Sequence, residues 1–390
     1  MCEVFCASAD FLCRQTGTDA PHPHTLEGTE GSGGGFMEIS LCMIVRDEEA
    51  VLERCLQSIA GIVDEIVIVD TGSTDRTKEI AAKFTDRVYD FPWCDDFSAA
   101  RNFAFSKGTG AYLMWLDADD ILPAGEREGL LQLKESLAAG RYDTVMLPYD
   151  VAFDEAGKPS FSYERERLLR NCPLARWQGR VHEVVVPFGK ILHGEVHIQH
   201  RKEAPSRSDR NLRIYEKMLA EGLTLNPREQ FYYARELYEQ ERYAQAAEEL
   251  QQFLHRREGW LENKLEACRC CARCYFALGE EERAMELLLH GLLLAPPTGE
   301  LCCEIGTAFF RKLDWKQAIF WYESALRAEK RTKEGAFVRE ECYGYYPCIQ
   351  LCVCYDRLGE RGMARMYNRM AALHRPGDAA VLQNEAYFAE

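Results

Sequence analysis

The sequence predicts two architectures in tandem. The first is an α/β domain on a mostly parallel sheet with an antiparallel extension. The second is an all-α solenoid of stacked helix pairs. Three observations predict them. Short apolar runs ending in carboxylates alternate with helical spacings between Glu38 and Thr144. Strand-like runs then follow one another without regular helices as far as His200. Beyond Ser206 every segment has helical spacing, with small residues recurring at one position. Alternating strand and helix implies crossover connections and parallel strands. A length of 390 residues fits two or three domains.

Residues 1–36 read as a disordered tail. They run through Thr16-Gly17-Thr18, Pro21-His22-Pro23-His24 and Gly31-Ser32-Gly33-Gly34-Gly35. Such a composition buries too little apolar area to offset ordering entropy. Met37 follows the glycines directly and is the expected natural start. Residues 39–45 form an apolar run that reads as a buried strand. Leu52, Cys55, Leu56 and Ile59 then keep helical spacing, and residues 65–70 read as a second buried strand stopping at Asp70. The turn Thr71-Gly72-Ser73-Thr74-Asp75 leads into a helix, with Ser73 or Thr74 as its N-cap. Residues 87–91 and 112–116 are the next strands, separated by a helix over 97–107. The last of these strands ends in Asp117-Ala118-Asp119-Asp120. Residues 145–147, 161–169, 179–186 and 195–200 read as the strands of the extension.

In the second half Ala234, Ala272, Gly306 and Cys352 are small residues at one repeat position. Three residues on stand Leu237, Tyr275, Phe309 and Tyr355, and twelve on stand Ala246, Ala284, Ala318 and Ala364. Pro296 and Pro376 fall where a helix pair would end. This pattern resembles the tetratricopeptide repeat, in which each helix pair buries its open face against the next. The expected domains are therefore a tail over 1–36, an α/β domain over 37–205, and a helical linker with repeats over 206–390. Tyr343-Gly344-Tyr345-Tyr346, between the last two repeats, is expected to be exposed and to touch a partner.

Charge and cysteine narrow the class. Sixty-three acidic against 47 basic residues give a net charge of -16, which argues against a nucleic-acid partner. No stretch has the apolar length that spans a bilayer, residues 285–295 being too short and holding His290. Glu3 and Asp10 stand where a signal peptide would be basic. A cytoplasmic location is expected. Seventeen cysteines, an odd number without a secretory signal, fit reduced buried thiols. Cys268, Cys270, Cys271 and Cys274 include a Cys-x-x-Cys, but no second Cys/His pair follows at zinc spacing, so helix packing is the favoured role.

The chemistry centres on strand ends. Asp117 and Asp119, with Asp120 beside them, would point into the crevice where open α/β folds bind ligands. Two such carboxylates can meet a hard divalent ion together with diphosphate oxygens; alone, an Asp-x-Asp is as often a solvated turn. Asp70 can accept hydrogen bonds from a base or ribose, or serve a helix cap. Arg101, on the helix before the Asp-x-Asp strand, can meet phosphate as a planar fork or pair with an acid.

Four motifs occur in order: Ile44-Val45-Arg46-Asp47-Glu48, Val69-Asp70-Thr71-Gly72-Ser73-Thr74-Asp75, Phe97-Ser98-Ala99-Ala100-Arg101-Asn102 and Leu116-Asp117-Ala118-Asp119-Asp120. Together they resemble the nucleotide-sugar-binding half of the family-2 inverting glycosyltransferases, over residues 38 to about 200. The resemblance implies a Rossmann-like mixed sheet of the GT-A fold and an inverting transfer. It implies that Asp70 binds the nucleotide base, with Arg46 flanking it. It implies that Asp117 and Asp119 hold a divalent metal, Mn²⁺ or Mg²⁺, and the diphosphate of a donor expected to be a UDP-sugar.

The second half of the domain lacks the Gln-x-x-Arg-Trp motif of processive polysaccharide synthases. Gly179-Arg180-Val181-His182-Glu183, Ile198-Gln199-His200 and the repeats resemble instead the bacterial glycosyltransferases typified by the sublancin S-glycosyltransferase, which modify cysteine in a precursor peptide. Inversion needs a base for the acceptor proton. Glu183 is the first candidate and His182 the second; pairing with Arg180 or capping a strand is the structural alternative for either. His200 is a candidate third metal ligand, since imidazole suits Mn²⁺ beside carboxylates, or else a surface histidine. Trp177 is a stacking platform or core.

The leading expectation is a metal-dependent hexosyltransferase acting on a peptide, protein or other polar acceptor. The repeats would aid acceptor binding or form a homodimer. The alternatives are a non-catalytic scaffold with a vestigial nucleotide-sugar site, and a surface-glycan transferase of the lipopolysaccharide-core type.

Overall fold

The computed structural model describes residues 38–138, 142–153, 157, 159–201, 208–331 and 338–389. The tail expected over 1–36, and Met37, lie outside the described residues. The chain divides into two compact units between Ser208 and Asp209. No described helix is long and apolar enough to cross a membrane.

The first unit is built on β1 (Ile39–Val45), β2 (Glu65–Asp70), β3 (Val88–Asp90), β4 (Tyr112–Met114), β5 (Asp120–Ile121), β6 (Thr144–Phe153), β7 (Pro159–Arg170), β10 (Ile191–His193) and β11 (Ile198–His200). These form one sheet in the order β3-β2-β1-β4-β7-β6-β11-β5, with β10 also beside β6. β1 lies parallel to β2 and to β4, and β2 parallel to β3. β7 runs antiparallel to β4 and β6, which is the expected extension. β10 and β11 return parallel to β6.

Period-two alternation explains why β1 is buried on both faces. Leu41, Met43 and Val45 pack with Leu52, Cys55, Leu56 and Ile59 of helix α1 (Leu52–Ile59). Cys42 faces the other way, towards Ala104 and Phe105 of α3 (Phe97–Phe105) and the rings of Trp115 and Trp177. A short helix, α2 (Thr77–Ala81), follows β2, and α4 (Arg127–Leu137) precedes β6.

Two features differ from the sequence expectation. Residues 179–186 are not one strand. They lie across a small hairpin in which β8 (Trp177–Gln178) pairs with β9 (Val184–Val185), and the connecting turn carries His182 and Glu183. Left-handed backbone at Gly179 (φ 93°) and His182 (φ 50°) breaks the extended path. The second feature is a β-bulge. Val145 pairs with Leu168 but Met146 pairs with Glu166, so Arg167 is the extra residue of β7. The Arg167 side chain is fully buried.

The second unit is helical. After α5 (Arg210–Ala220) come four pairs: α6 (Pro227–Glu239) with α7 (Tyr243–His255), α8 (Leu261–Ala277) with α9 (Glu281–Leu294), α10 (Gly299–Arg311) with α11 (Trp315–Arg327), and α12 (Tyr345–Arg357) with α13 (Arg361–His374). α14 (Ala379–Ala389) closes the array. Ala234, Ala272, Ala246, Ala284, Ala318 and Ala364 have no exposed surface, which is why these repeat positions must be small. At Gly306 a Cβ would stand 2.9 Å from the Tyr322 ring. Cys268, Cys270, Cys271 and Cys274 are buried along α8 among its neighbours. Tyr343 to Tyr346 are not an exposed patch. Tyr343 lies over Gly299 and donates to Glu300 at 2.8 Å, Tyr346 bonds Thr307 at 2.9 Å, and Tyr345 donates to Asp378 at 2.8 Å. These contacts leave the three rings half-buried against α10 and the start of α14.

Glu266 of α8 meets Arg269 at 3.0 Å and Arg273 at 2.7 Å. Burial alone would raise its pKa, but the two guanidinium charges win and hold it well below the ordinary 4.5. A carboxyl depressed in the folded state stabilises above its unfolded pKa and loses that contribution as pH falls below it. Glu266→Gln should therefore cost about 2 kcal/mol at pH 7, and the gap to the parent should narrow between pH 4 and 3. Urea melts of both chains at the three pH values test this; a gap independent of pH would contradict it.

Candidate active site

The site grows from the C-terminal ends of β2 and β4. Asp70 ends β2 and is almost fully buried. Its Oδ1 accepts from the backbone N–H groups of Gly72 and Ser73, both at 2.9 Å. Its Oδ2 is buried with no hydrogen-bond partner. Gly72 adopts φ 109°, a conformation that only glycine takes without strain. The loops after β1 and β2 are laced together. Ser73 accepts from Asp47 N–H at 2.9 Å, Asp47 from Thr74 N–H at 2.7 Å, Thr77 from Glu48 N–H at 2.7 Å, and Asp75 from Glu49 N–H at 3.0 Å. Hydroxyls and carboxylates of the two motifs therefore hold the loops, and Asp70 Oδ2 takes no part in the lacing. Arg46 stands at the exposed rim, 3.7 Å from Asp47.

Beyond β4 the chain turns tightly. Asp117 N–H donates to Asp120 Oδ2 at 3.0 Å, and Asp120 N–H returns to Asp117 O at 3.0 Å. β5 then pairs antiparallel with β11, which sets His200 opposite Asp120. Arg201 N–H bonds Asp119 O at 2.8 Å. The His200 Nδ1 comes to 3.3 Å from both Asp119 and Asp120 and 3.0 Å from the Tyr149 hydroxyl. Burial would lower the histidine pKa, but hydrogen bonds to the two carboxylates outweigh it and push it up to about 10.

Among the described residues, Asp119, Asp120 and His200 offer ligand atoms within 4.8 Å of one another. Asp120 is already committed. It accepts from Tyr149 at 2.7 Å and pairs with Arg167 at 3.0 Å, and it has no exposed surface. It is a pillar behind the site, while Asp119 and His200 form its face. Asp117 is outside this group and turns towards Arg101.

Arg101 joins two candidate groups. Its Nη2 bonds Asp117 at 2.7 Å and its Nε bonds Glu183 at 2.6 Å. Its guanidinium stands 5.2 Å from the Trp115 ring centre and 4.7 Å from that of Trp177. It is not an open fork, because two of its three nitrogens are taken; Nη1 is buried without a partner. Burial raises the Asp117 pKa, but the Arg101 charge overrides this and brings it down to about 2. Trp177 is core rather than platform: it is buried edge-on to Trp115 at 5.1 Å. Asn102 pins its backbone both ways, at 3.0 and 2.9 Å. Phe97 N–H donates to Arg180 O at 2.9 Å, so α3 holds the whole turn that bears His182 and Glu183. His182 sits half-buried in strained left-handed backbone. His193 pairs with Glu164 at 2.8 Å and His197 with Asp150 at 2.9 Å, away from the Asp119 cluster's contacts.

Sequence reasoning missed Asp120, Tyr149 and Arg167 as supports. One signal was available: Arg167 ends the charged run Glu164-Arg165-Glu166-Arg167 in the middle of a strand, directly before Leu168-Leu169.

An open parallel sheet with carboxylates gathered at its strand ends is the ligand-binding architecture of α/β domains. Residues 40–197 match the family model described as Glycosyl transferase family 2. Among curated relatives, the chain is 40% identical over 154 residues to a TPR repeat-containing protein of Synechococcus elongatus, covering 39% of this chain and 36% of that protein. It is 28% identical over 214 residues to the prophage-derived glycosyltransferase SunS of Bacillus subtilis, covering 51% and 49%. It is 30% identical over 171 residues to the lipopolysaccharide core biosynthesis glycosyltransferase LpsC of Rhizobium meliloti, covering 40% and 59%. The matches thus span between about a third and three fifths of these relatives' lengths.

Proposed function

We propose that this chain transfers a sugar, with inversion, from a nucleoside diphosphate sugar to a peptide, protein or other polar acceptor. The observation that carries the reading is the buried, unpartnered Oδ2 of Asp70 at a strand end of a family 2 domain. Such an oxygen asks for a donor, and the ring N–H of a base such as uracil supplies one. Arg46 flanks that position at the rim. Asp119 and His200, with Asp117 nearby, are the oxygen and imidazole donors that suit Mn²⁺ or Mg²⁺. Asp119 and His200 would hold the ion together, with Asp120 orienting the imidazole from behind. When bound, the ion supplies positive charge to the leaving diphosphate.

The chain's own residues do the rest. An acceptor hydroxyl or thiol attacks the anomeric carbon from the side opposite the diphosphate. Its proton passes to the Glu183 carboxylate, with His182 as second candidate. The bond between the anomeric carbon and diphosphate oxygen breaks, and its electron pair leaves with the nucleoside diphosphate. The repeats would serve acceptor binding or self-association. The LpsC relative favours a surface-glycan acceptor as a second reading.

A thermal-shift titration with UDP and GDP, with and without Mn²⁺, tests the donor site. A ligand at about 100 times its dissociation constant stabilises by about 2.7 kcal/mol. The melting temperature should rise with one nucleotide plus metal, and Asp70→Ala should lose that rise. No rise with either nucleotide would sink the reading.

A further inference from the structure

α3 holds the candidate base by more than one bond. Asn102 fixes the Trp177 backbone, the Trp177 ring covers Arg101, and Arg101 Nε bonds Glu183 at 2.6 Å. The same guanidinium reaches Asp117 at 2.7 Å. Arg101 is buried against the Trp115 and Trp177 rings and bonded to two carboxylates, which fixes the orientation of its fork. The turn it grips carries the strained His182, and Arg101 is the α3 side chain that bonds Glu183 itself, while Phe97 and Asn102 hold the backbone at Arg180 and Trp177.

We propose that Arg101 is a positioning residue. It sets the Glu183 carboxylate for the acceptor proton and registers it against Asp117, so that the base and the donor's diphosphate end stand in fixed relation. The proposal rests on the glycosyl-transfer reading above. It separates Arg101 from a plain phosphate ligand: Glu183 and Asp117 take Nε and Nη2, so only the buried Nη1 is left and no two-nitrogen fork is open to a phosphate. A misplaced base costs turnover, because proton transfer needs hydrogen-bond reach. It does not cost donor affinity, and loss of a cation beside Asp117 does not weaken cation binding.

The test uses the full chain with UDP-glucose, UDP-galactose, UDP-N-acetylglucosamine and GDP-mannose, Mn²⁺, and water as acceptor, read as nucleotide released. Arg101→Ala should lower kcat by about 100-fold, with the dissociation constant of UDP in Mn²⁺ unchanged within about threefold. Methylguanidinium should restore part of the lost rate. Arg101→Lys should restore little, since an ammonium cannot bond both carboxylates as the fork does. In a Glu183→Gln background Arg101→Ala should cost little more, because the two act as one unit. Equal kcat in Arg101→Ala would overturn the proposal. So would UDP affinity falling in step with kcat, or full additivity with Glu183→Gln. Melting curves separate misfolding from these outcomes, and Arg101→Lys keeps the comparison open if the alanine variant does not fold. Release of no nucleotide by the parent chain from any donor would instead remove the transfer reading beneath it.

Discussion

Replacing Asp119 by alanine is expected to lower sugar transfer by about 1,000-fold or more, a loss of about 4 kcal/mol of transition-state stabilisation. Asp119 offers its carboxylate to the site face together with His200, at 3.3 Å. Its backbone carbonyl also bonds Arg201 N–H at the end of β11, and the substitution leaves that tie in place. The substitution therefore removes the proposed ligand and one of the two carboxylates beside His200 while Asp120 still holds the ring, and the melting temperature of the free protein should change little. The check has two arms. Steady-state nucleotide release should lose its dependence on Mn²⁺, and the metal-dependent thermal shift with nucleotide should vanish. Retained Mn²⁺-dependent turnover in Asp119→Ala would assign the ion elsewhere. Asp120→Ala, one residue on, makes the contrast: it should damage stability first, because Asp120 is the buried pillar.

Arg167→Ala should cost about 3–5 kcal/mol of stability in the first unit, since it leaves Asp120 buried without its ionic partner. The pair is 3.0 Å long and neither side chain has exposed surface. The guanidinium also lies 3.9 Å from the Trp115 ring centre and 4.2 Å from that of Tyr149. Removing it empties a space between two aromatic rings as well as unpairing a charge. Adding Asp120→Asn to Arg167→Ala should recover part of the loss, because the uncompensated charge is then gone. Urea unfolding followed by tryptophan fluorescence measures both variants. A loss below about 1 kcal/mol would mean that Tyr149 and the Asp117 N–H satisfy Asp120 by themselves.

The parts of this architecture that could be read from the chain are those set by local pattern. The β1 and β2 runs are buried because they alternate over two covered faces, and both end where the apolar run ends. The strand-end position of Asp70 followed from that, whereas Asp117 stands in the turn beyond β4, which ends at Met114. The alanines of the repeats were legible because a helix pair repeats its close contacts at fixed intervals. What was not legible depends on pairing between distant segments. Arg167 turns inward because of a bulge in β7, which exists only in register with β6. Arg101 meets Glu183 across 82 residues, through a hairpin that read as one strand. Tyr343 to Tyr346 looked like a free aromatic patch because nothing local shows that Gly299 leaves room for a ring.

The laced loops and the β5–β11 closure have unequal reach along the chain. The contacts that shape the Asp70 side join residues about 26 apart, such as Asp47 and Ser73. His200 meets Asp120 only across 80 residues. Closing the longer loop costs about 1 kcal/mol more chain entropy. The Asp70 side, proposed for the base, is thus the less costly half to assemble, and the Asp119–His200 side, proposed for the ion, waits for the end of the domain. A fragment cut at residue 197, where the family match stops, would keep Asp70 and Asp119 but lack β11 and His200. Such a fragment should resemble an unfinished assembly stage: able to hold a nucleoside, and poor at holding a metal.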